Sequence, residues 1–360
     1  MKVAVIGANG FIGTRVIEMF HLGDRHQVVP VVRRASGLAL PARFDLEWRI
    51  GDALDVTALT AALSGCDAVV HTALGDPRQI EAMPAILCAA AAAARVPRVV
   101  YLSSASVHGQ APAPGTTEAS PLHCHHALLY NNAKVRAERA FFHGCTRHRL
   151  SGFALRPGVV FGPRSRWIAE AAASIRSGRG AWIKGGRGIC NSLYVDNLAE
   201  AVHLALIAPG DGEALLLGDA ETVTWRDFLA PIARHAGFAA TAFTELPPPV
   251  VLPEHASRLA ALTLSPAYGR VGPYVPDRAK RLVKAVLRAW PAPPPSPDPW
   301  TLHPVPPRPG LTPELALLQQ CTWKFPHDRA AARLGYHPAV PFAEGLRRSL
   351  AWLDFAEGRA

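Results

Sequence analysis

Lys2-Val3-Ala4-Val5-Ile6-Gly7-Ala8-Asn9-Gly10-Phe11-Ile12-Gly13 stands near the start of the chain, and its reading decides the fold. Val3–Ile6 is an apolar run of strand length, and Phe11–Phe20 has helical length and composition. Gly7 allows a tight turn between them, and Gly10 removes a Cβ so that backbone amides can approach a pyrophosphate. Gly13 lets the helix pack closely on the strand, which aims the helix dipole at the phosphates. Glycine spacing alone describes many ordinary turns. Strand, spacing and helix in that order predict a dinucleotide site, with Gly7, Asn9, Gly10, Phe11, Ile12 and Gly13 forming its phosphate-facing turn.

The pattern continues outward from this turn. Candidate strands at Gln27–Val32, Leu46–Ile50, Ala68–Thr72, Arg98–Leu102 and Gly152–Leu155 alternate with helical segments at Val56–Ala62, Pro84–Ala94 and Tyr130–Phe142. Such alternation predicts a Rossmann-type, doubly wound parallel sheet over residues 1–155. After Arg156 the alternation fades. Residues 156–192 and 208–360 read as a smaller C-terminal substrate-binding region, with 193–207 returning to the first domain. In the second region Ile168–Ser177, Asn197–Leu206, Trp225–Ala236 and Phe342–Phe355 have helical patterning, and Leu215–Leu217 reads as a short strand. Ala292–Gly310 is dominated by proline, which cannot supply helix or central-strand amides. It reads as an extended surface connection, the insertion around 291–310.

Bulk composition narrows the function classes. The formal net charge is +10, yet the arginines are scattered and form no sustained basic block, which argues against nucleic acid as the partner. No apolar stretch is long enough to span a bilayer, and no charged leader with an apolar core precedes Val3. The six cysteines lie far apart without a CxxC pair, as reduced thiols would. A soluble cytoplasmic enzyme of small molecules is the expectation.

An NAD-preferring site would place Asp or Glu at the end of the second strand, about twenty residues beyond the turn, to hold the ribose 2′-hydroxyl. This chain has Val32-Arg33-Arg34-Ala35-Ser36 there. Guanidinium groups pair with a 2′-phosphate through charge-assisted hydrogen bonds, so Arg33, Arg34 and Ser36 predict NADP in preference to NAD. Asp52 and the neighbouring Ala53 follow the third strand. Asp52 is placed either to meet the adenine end or to cap the next helix.

Tyr130-Asn131-Asn132-Ala133-Lys134 sets a phenol and an ammonium on one helix face. A free phenol has a pKa of about 10. A neighbouring lysine cation and an oxidised nicotinamide would lower it and make Tyr130 an acid/base group. The apolar strand ending at Leu102 delivers Ser103-Ser104-Ala105-Ser106-Val107-His108-Gly109 at its carboxyl end, where open α/β sheets bind ligands. A serine there can donate a hydrogen bond to the substrate oxygen. His123-Cys124-His125-His126 offers metal-ligand atoms, but adjacent histidines cannot converge on one ion, so no metal is expected.

The motifs Gly7-x-x-Gly10-x-x-Gly13, Val70-His71-Thr72-Ala73, Ser103-Ser104-x-x-Val107-x-Gly109 and Tyr130-x-x-x-Lys134 belong together. With Leu155-Arg156-Pro157-Gly158-x-x-x-Gly162-Pro163 and Tyr194-Val195-Asp196-Asn197-Leu198-Ala199, they make the chain resemble the extended short-chain dehydrogenase/reductase family, also called the NAD-dependent epimerase/dehydratase family. The resemblance implies Tyr130 as acid/base, Lys134 as ribose ligand and phenol activator, and Ser104 as donor to the substrate oxygen. It also implies that Thr72, Ala73 and Pro157 line the cofactor, and it allows a homodimer through the Tyr/Lys helix and its neighbour. The sequence departs from the sugar-nucleotide members. Pro157-Gly158-Val159-Val160-Phe161 carries no amide side chain. Cys190 stands where a diphosphate-binding arginine is common, with Arg187 close enough to substitute. Ser106 and His108 are the other candidate substrate contacts. Three functions follow: an NADP-dependent oxidoreductase of a ketone or secondary alcohol, a nucleotide-sugar epimerase or dehydratase with retained cofactor, or a cofactor-binding regulatory protein without chemistry.

Overall fold

Short Val-, Ile- and Ala-rich segments with no polar alternation suit strands buried on both faces, the condition of a parallel sheet covered by helices. The computed structural model describes residues 1–210, 212–249 and 311–358, so the proline-rich insertion around 291–310 lies outside the described residues. Its strands in chain order are β1 (Lys2–Ile6), β2 (Gln27–Val32), β3 (Arg49–Ile50), β4 (Ala68–His71), β5 (Arg98–Leu102), β6 (Ser151–Pro157), β7 (Val159–Phe161), β8 (Ala181–Ile183), β9 (Ile189–Cys190), β10 (Ser192–Tyr194), β11 (Glu213–Leu217), β12 (Val223–Thr224) and β13 (Thr244–Leu246). The α-helices are α1 (Phe11–Leu22), α2 (Val56–Leu63), α3 (Pro77–Ala93), α4 (Leu129–His148), α5 (Arg166–Arg176), α6 (Val195–Ile207), α7 (Trp225–His235), α8 (Pro313–Leu318), α9 (Asp328–Leu334) and α10 (Phe342–Ala356).

Seven strands form the central sheet in the order β11-β6-β5-β4-β1-β2-β3. Every pairing in it is parallel, with Val3 opposite both Val28 and Ala68. Val16, Ile17 and Phe20 of α1 and Leu198 and Val202 of α6 bury one face. Leu63 of α2, Leu87 of α3 and Phe141 of α4 bury the other. The strand order reverses between β1 and β4, which opens a crevice at their carboxyl ends. A second core beside the sheet gathers Phe161, Ile168, Trp182, Tyr194, Trp225, Phe228 and Leu346.

Two expectations are corrected here. Leu215–Leu217, read as part of the second region, lies in β11 and pairs with β6 as the seventh strand of the sheet. Leu215 and Leu216 are fully buried, and β6 would otherwise leave an unpaired edge. Ala330, Leu334 and Tyr336 join the same sheet core, so more than 193–207 returns to the first domain. The helix expected from Pro84 begins at Pro77 instead. The Asp76 carboxylate accepts from the Arg78 and Gln79 amides at 2.9 and 3.0 Å, and the Gln79 side chain accepts from the Asp76 amide at 3.2 Å. This capping box starts the helix, and Pro84 sits buried inside it.

One buried ion pair joins the sheet to α4. Arg156 of β6 donates to Glu138 at 2.5 and 3.0 Å, and the Ser103 hydroxyl donates to the same carboxylate at 2.6 Å. Both charged side chains are at most 4% exposed. Removing one partner leaves an uncompensated buried charge. Glu138→Ala is expected to lower the unfolding free energy by about 3–5 kcal/mol in urea titrations, whereas Glu344→Ala, which breaks only solvent-exposed ion pairs to Arg347 and Arg348 on α10, is expected to leave it nearly unchanged.

Candidate active site

The glycine turn is set by steric exclusion. Gly7 has φ +84°, and a Cβ on it would lie 2.7 Å from the Ala73 amide nitrogen. A Cβ on Gly13 would lie 2.2 Å from the Gly7 carbonyl oxygen and 2.7 Å from Thr72 Oγ1. Thr72 Oγ1 donates to the Ile6 carbonyl at 2.8 Å, which ties the end of β4 to the end of β1. Gly10 caps α1 in an extended conformation, with no side-chain cap and no acidic residue in the first turn. The first amides of α1 are therefore left for an anion. Gly7, Asn9, Gly10, Phe11, Ile12, Thr72 and Ala73 line a cavity of about 790 Å³, and Gly13 is buried beneath the turn. This cradle fits the pyrophosphate of a dinucleotide.

Arg33, Arg34, Ser36, Asp52 and Ala53 line the same cavity beyond the ends of β2 and β3. Arg33 and Arg34 are exposed and have no carboxylate partner among the described residues. The two alternatives for Asp52 separate here. Asp55 caps α2, accepting from the Thr57 and Ala58 amides at 2.8 and 3.1 Å. The Asp52 carboxylate accepts from the Leu54 amide at 3.0 Å and remains on the cavity wall.

At the other end, α4 carries Tyr130 and Lys134 on its cavity face, opposite Ser104, Ser106 and Pro157. Ser104 begins a short 3₁₀ turn, its Oγ accepting from the Ser106 amide at 3.2 Å. Burial pushes the Tyr130 phenol up to about 12, against a hydrogen bond from Ser104 that draws it down. Lys134 Nζ donates to the Leu102 carbonyl at 2.9 Å and lies 5.9 Å from the Tyr130 ring centre. Burial brings this ammonium down to about 8, opposed by Glu138 one turn on. The expected lowering of the phenol by Lys134 is not found: burial dominates because the desolvated hydroxyl prefers to stay neutral, and the groups that draw it down are Ser104 and Arg166. Tyr130 is protonated at neutral pH.

Beyond the cavity and its Ser/Tyr/Lys set, comparisons with known proteins identify the family. Residues 3–218 match the model of the NAD dependent epimerase/dehydratase family. The chain belongs to this family. The family is described as one of NAD dependent epimerases and dehydratases. It is similar to the sterol-4-alpha-carboxylate 3-dehydrogenase (decarboxylating) of Candida albicans, with 26% identity covering 98% of this chain and 97% of the relative. It is also 27% identical over 271 residues to a 3beta-hydroxysteroid-dehydrogenase/decarboxylase (isoform 2) of Arabidopsis thaliana, covering 71% of this chain. The matched region spans 41% and 53% of the lengths of the two Arabidopsis isoforms. Among solved structures, the dTDP-glucose 4,6-dehydratase DesIV of Streptomyces venezuelae shares the fold, with TM-score 0.70 and 18% identity over 99% of this chain and 98% of that one.

Within this epimerase/dehydratase fold, two expected substrate contacts are misplaced. His108 does not line the cavity; its Nε2 lies 3.1 Å from Arg156 Nη1 and its ring packs on Phe325 at 5.9 Å. The buried Glu138–Arg156 pair draws it behind the wall. Arg187 is exposed on the turn after β8 and stands away from the cavity, because that turn curls outward through Gly185 and Gly186, both at positive φ. Ser106 does line the cavity, and its hydroxyl is buried without a partner among the described residues. The histidine loop packs behind the serine turn, with His126 Nε2 3.0 Å from the Val107 carbonyl.

The residues that do close the substrate end are Arg166, Trp167, Asn191, Glu314 and Phe325, and Arg164 lines the same cavity. Arg164 follows Gly162-Pro163 directly, so the motif already quoted pointed toward it. Glu314 and Phe325 lie beyond the proline-rich stretch and carry no local pattern that announces them. Arg166 pairs with Glu314 at 3.0 Å, and both act on the Tyr130 phenol, the carboxylate raising its pKa and the guanidinium lowering it.

Several histidines are held neutral by burial. His71 is brought down to about 3, and His26, His108 and His126 to about 4, from an ordinary 6.5. In the unfolded chain they take up protons below 6.5, while the folded protein resists until near 4. Their contribution to stability is therefore present above pH 6.5 and lost as the pH falls toward 4. Calorimetric melting temperatures are expected to drop steeply across that window, and a flat profile from pH 7 to 4 would contradict the assignment.

Proposed function

We propose that this protein is an NADP(H)-dependent oxidoreductase that interconverts a ketone and a secondary alcohol on a largely apolar substrate. The observation that carries the reading is the single cavity running from Arg33 and Arg34, past the glycine turn, to Tyr130 and Ser104. Its volume suits a dinucleotide with a small organic substrate. Val159, Val160, Trp167, Leu318 and Phe325 supply apolar walls at the substrate end, with Ser106, Gln110 and Asn191 as the polar contacts. The curated relatives that act on sterols and hydroxysteroids favour the same substrate class.

When bound, the nicotinamide supplies or accepts the hydride. Tyr130, neutral at pH 7, donates its proton to the carbonyl oxygen in the reducing direction and recovers it in reverse. Ser104 orients that oxygen and hydrogen-bonds the phenol. Lys134, anchored at the Leu102 carbonyl, is placed to hold the nicotinamide ribose. Arg33, Arg34 and Ser36 hold the 2′-phosphate. The reading includes a cytoplasmic homodimer built on α3 and α4, for which sedimentation should show twice the chain mass.

Incubation with NADPH and a panel of steroid and alicyclic ketones should consume NADPH over many turnovers. Conversion of a nucleotide sugar with no net change in cofactor would replace this reading with the epimerase one. Tyr130→Phe is expected to slow turnover by about 10²–10⁴-fold while leaving NADPH binding intact. Full activity in that variant would remove Tyr130 from the reaction. Arg33→Asp is expected to shift preference toward NADH by about tenfold or more, one charge-assisted hydrogen bond being worth about 1.5–3 kcal/mol. An unchanged NADPH-to-NADH ratio would reopen the cofactor assignment.

A further inference from the structure

The turn from Gly162 to Ser165 leads from β7 into α5, and its conformation is costly. Arg164 holds φ +73°, a left-handed conformation that a long side chain rarely adopts without a reason. The turn is locked from below. Ser165 is fully buried, its amide donates to the Gly162 carbonyl at 3.0 Å, its Oγ donates to the Val160 carbonyl at 3.3 Å, and it caps α5 through the Trp167 amide. Gly162 lies against the start of α1: a Cβ there would be 2.6 Å from Val195 and 3.5 Å from the Phe11 ring.

Arg164 therefore rises beside the first turn of α1 and lines the cavity together with Gly10, Phe11 and Ile12. Most nearby arginines have acidic partners: Arg15 with Glu18 and Asp196, Arg43 with Glu18, and Arg166 with Glu314. Arg164 has none among the described residues. Partial burial and the field of Arg43 both disfavour its charge. A guanidinium held in a strained backbone, partly removed from water and lining one cavity with the uncapped end of a helix, is arranged for an anion.

We propose that Arg164 is a cofactor-binding residue that clamps the dinucleotide pyrophosphate from the side opposite the glycine turn. The proposal rests on the dinucleotide reading above. Its target is the pyrophosphate, which NADH and NADPH share, and not the 2′-phosphate assigned to Arg33 and Arg34. The binding energy comes from a residue outside the central sheet, so cofactor affinity becomes coupled to the placement of the β7–α5 turn.

The test is Arg164→Gly in the full-length protein, with NADH and NADPH affinities measured by titration calorimetry and stability by thermal melting. Glycine suits the left-handed position, so the melting temperature should stay equal or rise while both cofactors bind about 10- to 100-fold more weakly. Arg164→Lys should recover part of the loss, since a point charge replaces a bidentate fork. Unchanged affinity for both cofactors would overturn the proposal, as would a loss confined to NADPH, which would assign Arg164 to the 2′-phosphate. If the wild-type chain binds neither cofactor, the dinucleotide reading falls as well. Binding by the wild type with an unaffected variant removes this proposal alone.

Discussion

The approach of α1 to the ends of β1 and β4 is the constraint on which the site depends. At Gly13 a single added carbon would overlap the Gly7 carbonyl, and at Gly7 it would overlap the backbone of Ala73. Closing that distance buries the Val16 and Ile17 face of α1 on the sheet and leaves its first amides uncapped at the cavity. Packing and anion binding are thus two consequences of one geometry. A bulkier residue would not merely crowd the ligand; it would move the helix that binds it.

The second anchor is electrostatic. Tyr130, Lys134 and Glu138 follow one another at four-residue spacing along α4, so they share a stripe. Glu138, at the deep end, is held by Arg156 and Ser103, and Lys134, in the middle, by the Leu102 carbonyl. Tyr130, at the shallow end, faces the cavity. Two buried, satisfied charges position a third group whose own charge is disfavoured. That gradient keeps the phenol neutral where it faces the cavity beside Ser104.

The substrate end is assembled differently. Its walls come from segments distant in the chain, joined by backbone contacts. Trp225 Nε1 donates to the Leu318 carbonyl at 3.0 Å, the Ile183 amide donates to Gln319 at 2.8 Å, and Asn191 bonds the Trp323 carbonyl at 3.0 Å. Gly188 lies so close to Gln319 that a Cβ would fall 1.9 Å from its carbonyl oxygen. These contacts seat α8 over the cavity, which brings Glu314 within electrostatic reach of Tyr130. Among the described residues no helix is long and apolar enough to cross a membrane.

What could be read from the sequence was local. The turn from Gly7 to Gly13, the Tyr130–Lys134 spacing and the serine run after Leu102 each encode their geometry within one strand, turn or helix face, so the family and the cofactor half of the cavity were legible there. Pro84 misled because its meaning depends on the Asp76 cap upstream, and Leu215–Leu217 because a strand's sheet is chosen by the partner edge it covers. His108 and Arg187 were near in sequence but turned away by Arg156 and by the glycines after Lys184. Arg164, Glu314 and Phe325 reached the cavity only when distant segments packed. Short-range periodicity determined the elements and the cofactor turn of this protein, while long-range packing and burial decided which side chains surround the substrate and which carry charge.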